Sequence, residues 1–236
     1  MFFSELRSVW LEPTSHNLTH LTLFCDGYWG YTPKVDFRGL HFKNLRSLAL
    51  GSWTFMNHWQ LDWILSHGDT LYELSLDDCP ILCLLKCSTE WEPLYGLDQS
   101  DFISLGSGSE TWCEHFQYSA RWHQYFDRFR TRLRHLCKFQ FGFGPWNEHR
   151  AFEKIDDLGV ALIERRYMIF DGTIEPSQWV ECWEDGYYDA IWGLNNDGEG
   201  CQGEFRTPNI ECRNRDAAAL RSLMTEVTQR AWHSDK

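Results

Sequence analysis

Three cysteines are the first residues of this chain whose spacing could do chemistry. Cys79, Cys83 and Cys87 lie four residues apart, within the range that pairs of zinc ligands use. A structural zinc site needs four ligands in recognisable pairs, and the nearest histidines, His67 and His115, complete no such pair. We therefore expect no metal site here, and we expect Cys79 to fill a buried position of the fold.

Clustered carboxylates are the second feature that could do chemistry. Residues 195–200 begin like a calcium-binding loop, yet Arg206 occupies the twelfth position, where a bidentate glutamate would be required. Three adjacent pairs are expected on solvated faces, with no raised pKa: Asp77 with Asp78, Asp156 with Asp157, and Glu184 with Asp185. No serine-hydrolase, zinc-protease or phosphate-loop motif is present. We predict no enzymatic activity and no cofactor; a hydrolase with an unrecognised site remains an alternative.

The charge of the chain limits its partners. Lys and Arg number 22 against 34 Asp and Glu, which gives a net charge of −12. Such a balance disfavours nucleic acid and anionic membrane surfaces. The arginines between residues 121 and 134 are expected to form a solvated helix face that pairs with acids. We predict no binding to nucleic acid or to membranes.

The composition is typical of a folded protein with reduced thiols. Aromatic residues make up 16% of the 236 residues, and disordered chains are poor in aromatics. The 9 Cys are odd in number and irregular in spacing, and no secretory signal is visible. No apolar run approaches the roughly 18 residues of a membrane span. We therefore expect a cytoplasmic or nuclear location.

A repeated leucine pattern is the feature that would position the side chains of a binding surface. The pattern L-x-x-L-x-L begins at Leu18, Leu45 and Leu71, so its copies are 27 and 26 residues apart. Leucine-rich repeats recur every 20–29 residues, and each supplies one short strand and one returning segment. Because one unit cannot bury its apolar edge alone, neighbouring units must stack.

The segment between the second and third copies predicts a helix. Asn57 is a good N-cap with Gln60 three residues later, and apolar residues then recur with helical spacing over 58–67. Gly68 is expected to end the helix in the left-handed conformation. Strands at 45–50 and 71–76 would complete a right-handed βαβ unit.

The same reasoning predicts the remaining elements. They are a capping strand at 6–11, a loop at 26–33, a loop at 104–109, helices at 116–130, 151–163 and 215–231, and strands at 136–141 and 167–170. Trp122, Tyr125, Phe126 and Phe129 share one stripe of the helix predicted at 116–130. The last helix, capped by Asn214 or Asp216, would cover the open end of the repeat stack.

The repeat surface is the best candidate site. Since the leucines point inward, alternate residues of each strand face outward. The predicted partner-binding residues are His20, Thr22, Phe24, Ser47, Glu73, Ser75, Asp77 and Asp78, with Ala49 and Gly51 between them. The surface becomes more acidic towards the third repeat, which favours a protein partner with some basic character. The alternative is a face that is merely solvated.

These predictions combine into one α/β domain over residues 1–236. We expect an irregular leucine-rich-repeat solenoid with parallel strands, helices behind them and a C-terminal helix cap. Clear repeats cover 16–82, an insertion follows at about 83–115, and irregular repeats with the cap occupy 116–236.

The chain resembles the fungal F-box proteins with leucine-rich-repeat-like tails. The segments that carry this resemblance are 17–23, 37–42, 59–68, 71–81, 121–129 and 176–179. That resemblance implies the substrate-recognition part of an SCF-type ubiquitin ligase receptor, with the ligase adaptor and cullin as partners if an F-box is supplied. No F-box is expected in this chain, because fewer than twenty residues precede Leu18. A free-standing or degenerate repeat protein that binds a partner without recruiting a ligase is the alternative.

Overall fold

The computed structural model describes residues 2–31, 34–88, 102–107, 113–144, 158–170, 180–182, 186–188 and 208–234. The helices in these ranges are α1 (Phe2–Glu5), α2 (His58–Leu65), α3 (Trp122–Arg132), α4 (Pro208–Glu211) and α5 (Arg213–Ser234). The strands are β1 (His20–Trp29), β2 (Ser47–Trp53), β3 (Glu73–Asp77), β4 (Ile81–Ser88), β5 (Phe102–Ser107), β6 (Cys113–Tyr118), β7 (Lys138–Gly142), β8 (Tyr167–Phe170), β9 (Val180–Cys182) and β10 (Gly186–Tyr188). None of these helices combines the length and apolar composition that a membrane crossing requires.

The leucine repeats form a four-stranded parallel sheet in the order β1-β2-β3-β7. The pattern sets its register, because Leu21, Leu48, Leu74 and Phe139 pair across the sheet. These four side chains are buried on one face, as the sequence predicts. The chain is therefore an α/β protein with a parallel sheet, and the strand predicted at 136–141 is confirmed as its fourth strand.

A second sheet follows where the chain leaves the first. Its order is β5-β6-β4-β8, with β4 and β8 parallel and β6 antiparallel to both of its neighbours. The parallel bridge between Phe55 and Ile81 leads into this sheet. Strand β8, predicted at 167–170, is confirmed and fully buried. Strand β5 overlaps the predicted loop at 104–109, which is wrong for 104–107, because pairing with β6 overrides the local Gly/Ser composition.

Two residues with positive φ follow the last pair of residues that β2 and β3 share. Ser52 has φ 55° and Asp78 has φ 48°, a conformation that costs side chains other than glycine free energy. Each residue follows one of the paired residues Gly51 and Asp77, so the two occupy equivalent positions of adjacent repeats. The strained backbone is therefore shared by the second and third of the four strands.

The helices pack on the leucine face. The predicted stripe of α3 is buried, and its Phe126 and Phe129 rings lie 6.1 and 6.0 Å from the ring of Phe139. Helix α3 begins at Trp122, later than predicted, because residues 116–118 belong to β6. Helix α2 begins after Asn57 as predicted, since the Gln60 carboxamide oxygen accepts the Asn57 amide at 2.9 Å.

Gly68 serves a purpose other than the predicted one. Its φ is not positive, so the helix does not end in the left-handed conformation. A Cβ at this position would lie 2.5 Å from the carbonyl oxygen of Arg132, at the end of α3. Gly68 is therefore required because the ends of α2 and α3 approach closely.

Three further local predictions are wrong. The predicted capping strand at 6–11 is a π-helix, Leu6–Leu11, whose two end leucines are buried. The predicted loop at 26–33 begins inside β1, which continues to Trp29 because Trp29 pairs with Trp53. Residues 158–163 contain no helix; the rest of that predicted helix, 151–157, lies outside the described residues.

Helix α5 confirms the predicted C-terminal helix and buries Leu220, Leu223 and Val227. Asp216 does not cap α5, which begins three residues earlier, at Arg213. Its carboxylate instead accepts hydrogen bonds from the backbone N–H of His123 at 3.0 Å and from Arg166 Nε at 2.9 Å. Asp216 thus caps the first turn of α3 and joins α5 to the rest of the fold.

Candidate functional site

The face of the first sheet opposite the helices carries most of the predicted site. We call it the open face; it consists of three rows of paired residues across β1, β2, β3 and β7. The rows are His20, Ser47, Glu73 and Lys138, then Thr22, Ala49, Ser75 and Gln140, and finally Phe24, Gly51, Asp77 and Gly142. The register therefore brings together the predicted residues on the three repeat strands.

Exposure is highest on β1 and lower on the other three strands; Ala49 and Gly51 on β2 are already buried, contrary to their predicted outward exposure. His20 and Thr22 are exposed, while Ser47 and Glu73 are half-buried. The Ser47 hydroxyl donates to the Glu73 carboxylate at 3.0 Å, which fixes both side chains on adjacent strands. The accessible part of the open face is therefore a small polar surface that consists of His20, Thr22, Ser47 and Glu73.

Phe24 lies along the sheet instead of projecting from it. A Cβ at Gly51 would lie 2.5 Å from Cδ2 of Phe24, so the ring occupies the space above that glycine. Gly51 is needed on β2 because the aromatic ring on β1 covers its backbone. Phe24 is half-buried as a result.

The chain itself covers the β3 and β7 end of the open face. Ser75 is buried and donates to the Gln140 side-chain oxygen at 2.8 Å, and the Gln140 amide donates to the carbonyl of Leu158 at 2.8 Å. Residues 158–161 continue this layer, since the Ala161 N–H donates to the carbonyl of Phe141. Ser75 is thus a structural hydrogen-bonding residue, contrary to its predicted outward exposure.

Asp77 is also buried, with a side chain in an acidic cluster at the carboxyl end of β3. It is 2% exposed, and its Oδ1 accepts the backbone N–H of Gly144 at 2.6 Å. Burial raises the pKa of Asp77 to about 6, the nearby charge of Asp78 adds to the increase, and the Gly144 hydrogen bond opposes it. The prediction that the Asp77/Asp78 pair is solvated, with no raised pKa, is therefore wrong.

Asp78 lies between a tyrosine and an arginine from distant segments. Its Oδ2 accepts the Tyr28 hydroxyl at 2.9 Å, and its Oδ1 is 3.4 Å from Arg165 Nε. Burial raises the pKa of Asp78, although Arg165 and the Tyr28 hydrogen bond both lower it. The guanidinium carbon of Arg165 also lies 4.2 Å from the ring centroid of Phe143. Arg165 thus supplies a counter-charge to Asp78, and Tyr28 supplies a hydrogen bond.

The cysteines behave as core residues. Cys79 is fully buried, and its thiol lies 3.3 Å from the carbonyl oxygens of Leu50 and Asp77. Burial raises the pKa of this thiol, so it remains protonated. Within the described ranges, no group of His, Cys, Asp and Glu side chains could hold a metal ion. The segment 195–206, with its partial calcium-loop pattern, lies outside those ranges.

Sequence reasoning missed four participants at this end of the face: Tyr28, Gln140, Gly144 and Arg165. Gln140 could have been found, because it occupies the same place in the phenylalanine repeat as Ser75 does in the third leucine repeat. The other three lie outside the repeat strands or beyond the repeat pattern, and no spacing rule connects them to Asp77 or Asp78.

Comparison of the chain with protein-family models, curated proteins and solved structures finds no match.

The buried carboxyl of Asp77 gives the protein a pH-dependent stability. Its pKa is raised to about 6 from an unfolded value of 3.8, so the folded state binds more protons between these values. We expect stability to fall as pH rises through this window, by on the order of 2 to 3 kcal/mol from this group. Asp77→Asn keeps an acceptor for Gly144 and should remove this component. The measurement is urea unfolding of both proteins between pH 4 and 7.

The variant should be more stable than the wild type at pH 7 and nearly equal to it at pH 4. Taking the difference between the two proteins cancels the contributions of other titrating groups, except for the charge coupling with Asp78. Parallel pH profiles would contradict the assignment.

Proposed function

We propose that this chain is a protein-recognition module that binds its partner across the β1 and β2 end of the open face. One observation carries the proposal: every row of that face begins on β1, where His20 and Thr22 are exposed, while the helices pack on the opposite, leucine face. Adjacent strands lie about 4.8 Å apart, so the first-row side chains of His20, Ser47 and Glu73 form a polar edge beside the exposed Thr22. Extended strand-lined surfaces of stacked repeats are typical protein-binding faces.

The parallel sheet supports the finer description of the fold that we also propose, an irregular leucine-rich-repeat solenoid. Four pattern strands pair in one register, and two of them have positive-φ residues at equivalent positions, Ser52 and Asp78. Such repetition is what stacked units of 26 or 27 residues would produce. A location in the cytoplasm or nucleus is part of the proposal, since it accords with the free thiols of Cys25, Cys79, Cys83, Cys137 and Cys212.

The proposed binding residues are fewer than the sequence suggests. His20, Thr22, Ser47 and Glu73 are accessible enough to contact a partner, whereas Ser75 and Asp77 act within the fold. Glu73 is then the one carboxylate among the three rows that is not buried. The surface offers less acidic character than expected, which weakens the case for a basic partner.

The ligase role is a further proposal, and it follows from the resemblance to F-box receptors. In that role the open face would select a target for ubiquitination, and a ligase adaptor and cullin would copurify with the chain. A repeat module that binds its target without a ligase is the alternative.

Enzymatic activity is a second candidate, favoured by one observation. Asp77 combines deep burial with a raised pKa at the carboxyl ends of parallel strands, where ligands of open α/β sheets bind. The surroundings favour a structural role, because Gly144 binds one oxygen of Asp77, and Tyr28 and Arg165 both contact Asp78. We therefore place protein recognition first.

A single exposed threonine tests the proposal. Thr22→Arg places a long cation in the middle of the accessible rows, and Thr225→Arg on α5 makes the same change at another exposed threonine. We expect the protein that copurifies with the wild type and with Thr225→Arg to fall at least about tenfold with Thr22→Arg, the loss that 1.4 kcal/mol of binding produces. Quantitative mass spectrometry after affinity purification measures this ratio.

Thermal melting must be unchanged in both variants for the comparison to hold. Equal recovery of the partner with the wild type, Thr22→Arg and Thr225→Arg would refute the proposal that the open face binds it. Recovery of adaptor and cullin would support the ligase role, and recovery of a discrete target without them would remove it.

A further inference from the structure

A second surface lies at the amino ends of the strands, next to the open face. Arg46 and Tyr72 immediately precede the first-row residues Ser47 and Glu73, so they occupy equivalent positions of adjacent repeats. Their backbones are fixed, because the Arg46 carbonyl accepts the N–H groups of Tyr72 and Glu73 at 2.8 and 2.9 Å. We call Arg46, Tyr72 and His135 the amino-end rim.

Tyr72 contacts both of the other side chains of the rim. The guanidinium carbon of Arg46 lies 5.7 Å from the ring centroid of Tyr72, within the range of a cation–π interaction. The ring of His135 lies 5.9 Å from the same centroid. An aromatic ring thus holds an arginine and a histidine in one fixed group.

The rim is exposed, and its charge is not neutralised. Tyr72 is 39% exposed, and Arg46 and His135 are also exposed. Among the described residues, no carboxylate lies within the 4.0 Å ion-pair distance of Arg46 or His135. The adjacent carboxylate of Glu73 is occupied, since it accepts the Ser47 hydroxyl on the open face.

This arrangement suits a carboxylate ligand. The planar guanidinium matches a carboxylate in two parallel hydrogen bonds, and stacking on Tyr72 fixes the side chain before the ligand arrives. Tyrosine and arginine are also the residues most often found at the energetic centres of protein interfaces.

The net charge of the chain decides between anionic partners. A long polyanion such as nucleic acid experiences the whole charge of −12, which repels it. A short acidic segment interacts mainly with groups within the Debye length of about 8 Å at physiological salt, so the guanidinium of Arg46 acts on it more strongly than distant carboxylates do.

We propose that the amino-end rim is a docking surface for an acidic segment of the partner protein. The rim would bind carboxylates of Asp or Glu side chains while the open face contacts the remainder of that partner. This inference rests on the proposed function, since it names the chemistry of the partner that the module recognises.

Peptide binding to the full chain tests the inference. The probes are fluorescein-labelled peptides of glutamate and serine, of lysine and serine, and of phosphoserine and serine, together with a labelled DNA oligonucleotide, all followed by fluorescence anisotropy. The variants are Arg46→Glu, Arg46→Lys and the matched control Arg221→Glu. Arg221 lies on α5 and is exposed, and no aromatic ring lies against it among the described residues.

We expect the glutamate peptide to bind the wild type and Arg221→Glu, and to bind Arg46→Glu at least about tenfold more weakly, as loss of a charge-assisted hydrogen bond implies. Arg46→Lys should lie between them, because it keeps the charge and loses the planar fork. Equal binding of the glutamate peptide by Arg46→Glu and Arg221→Glu would refute the proposed docking role of the rim. Tighter binding of the lysine peptide, the phosphoserine peptide or the DNA than of the glutamate peptide would also refute it.

The peptide result is independent of the Thr22→Arg result. A partner that is lost with Thr22→Arg, combined with no glutamate-peptide binding, would refute the rim alone. Glutamate-peptide binding with no partner lost at Thr22 would refute the proposed face alone.

Discussion

Leu74→Asp should abolish cooperative folding. Leu74 is fully buried on the leucine face and pairs with Leu48 on one side and Phe139 on the other. The substitution removes a large apolar side chain and buries an unpaired charge, which together should cost about 5 kcal/mol or more. Typical domains are stable by only 5–15 kcal/mol, so most molecules should be unfolded or close to unfolding. Far-ultraviolet circular dichroism during heating measures this effect.

Two control substitutions distinguish the effect of altering position 74 from the effect of adding a negative charge. Leu74→Met keeps the approximate volume and should cost less than about 1.5 kcal/mol. Thr22→Asp introduces the same charge on the exposed side of β1 and should change stability by no more than about 0.5 kcal/mol. If Leu74→Asp melted like Thr22→Asp, the leucines could not form the buried face of the sheet.

Asp216→Ala should have the second largest effect, a loss of about 3–5 kcal/mol in unfolding free energy. The carboxylate is fully buried and accepts hydrogen bonds from the His123 N–H, from Arg166 Nε and from the Tyr167 hydroxyl. Its removal leaves the buried Arg166 guanidinium without its counter-charge. Urea unfolding of the wild type and the variant gives the difference directly.

The part of the fold that Asp216→Ala destabilises is as informative as the size of the stability loss. Since Asp216 binds the first turn of α3, amide hydrogen exchange should accelerate at His123 in the variant. Asp127→Ala is the matched control, because that carboxylate lies on α3 itself and pairs with the half-exposed Arg130. A surface pair of this kind is worth at most about 1 kcal/mol. Equal effects of the two substitutions would show that the Asp216 network does not stabilise the fold.

The first sheet could be predicted from sequence because its determinants are local and repeated. Leucines at fixed offsets define the strands, and the same offsets with Phe139 and Phe141 reveal the fourth strand, 65 residues after the third. The amphipathic stripes of α3 and α5 similarly depend on spacing within one helix.

The errors arose where distant segments determine the structure. Strand β5 forms from a Gly/Ser-containing sequence because β6 supplies its hydrogen-bonding partners. Residues 6–11 match the spacing of a repeat strand yet form a π-helix that buries Leu6 and Leu11. Spacing alone cannot distinguish these cases, since the same apolar residues can be buried in more than one conformation.

Sequence alone predicts only part of the candidate site, because distant segments cover the rest of it. Alternation along the strands correctly places His20 and Thr22 outside the core. It fails at Ser75 and Asp77, because Gln140 and Gly144 cover them from a segment more than sixty residues later. A period of two tells which face a residue lies on, and it cannot tell what else lies on that face.

The capping of α3 by Asp216 bears on the synthesis of this protein. Chains emerge from the ribosome amino end first, and the group that completes the start of α3 follows His123 by 93 residues. Until that residue is made, the nascent protein holds a repeat sheet whose helix lacks its final partner, with the burial site for Leu220 and Leu223 still open. The start of α3 is therefore completed only after Asp216 has been synthesised, and a ribosome that stops before that point releases a chain with an apolar surface that other proteins can contact.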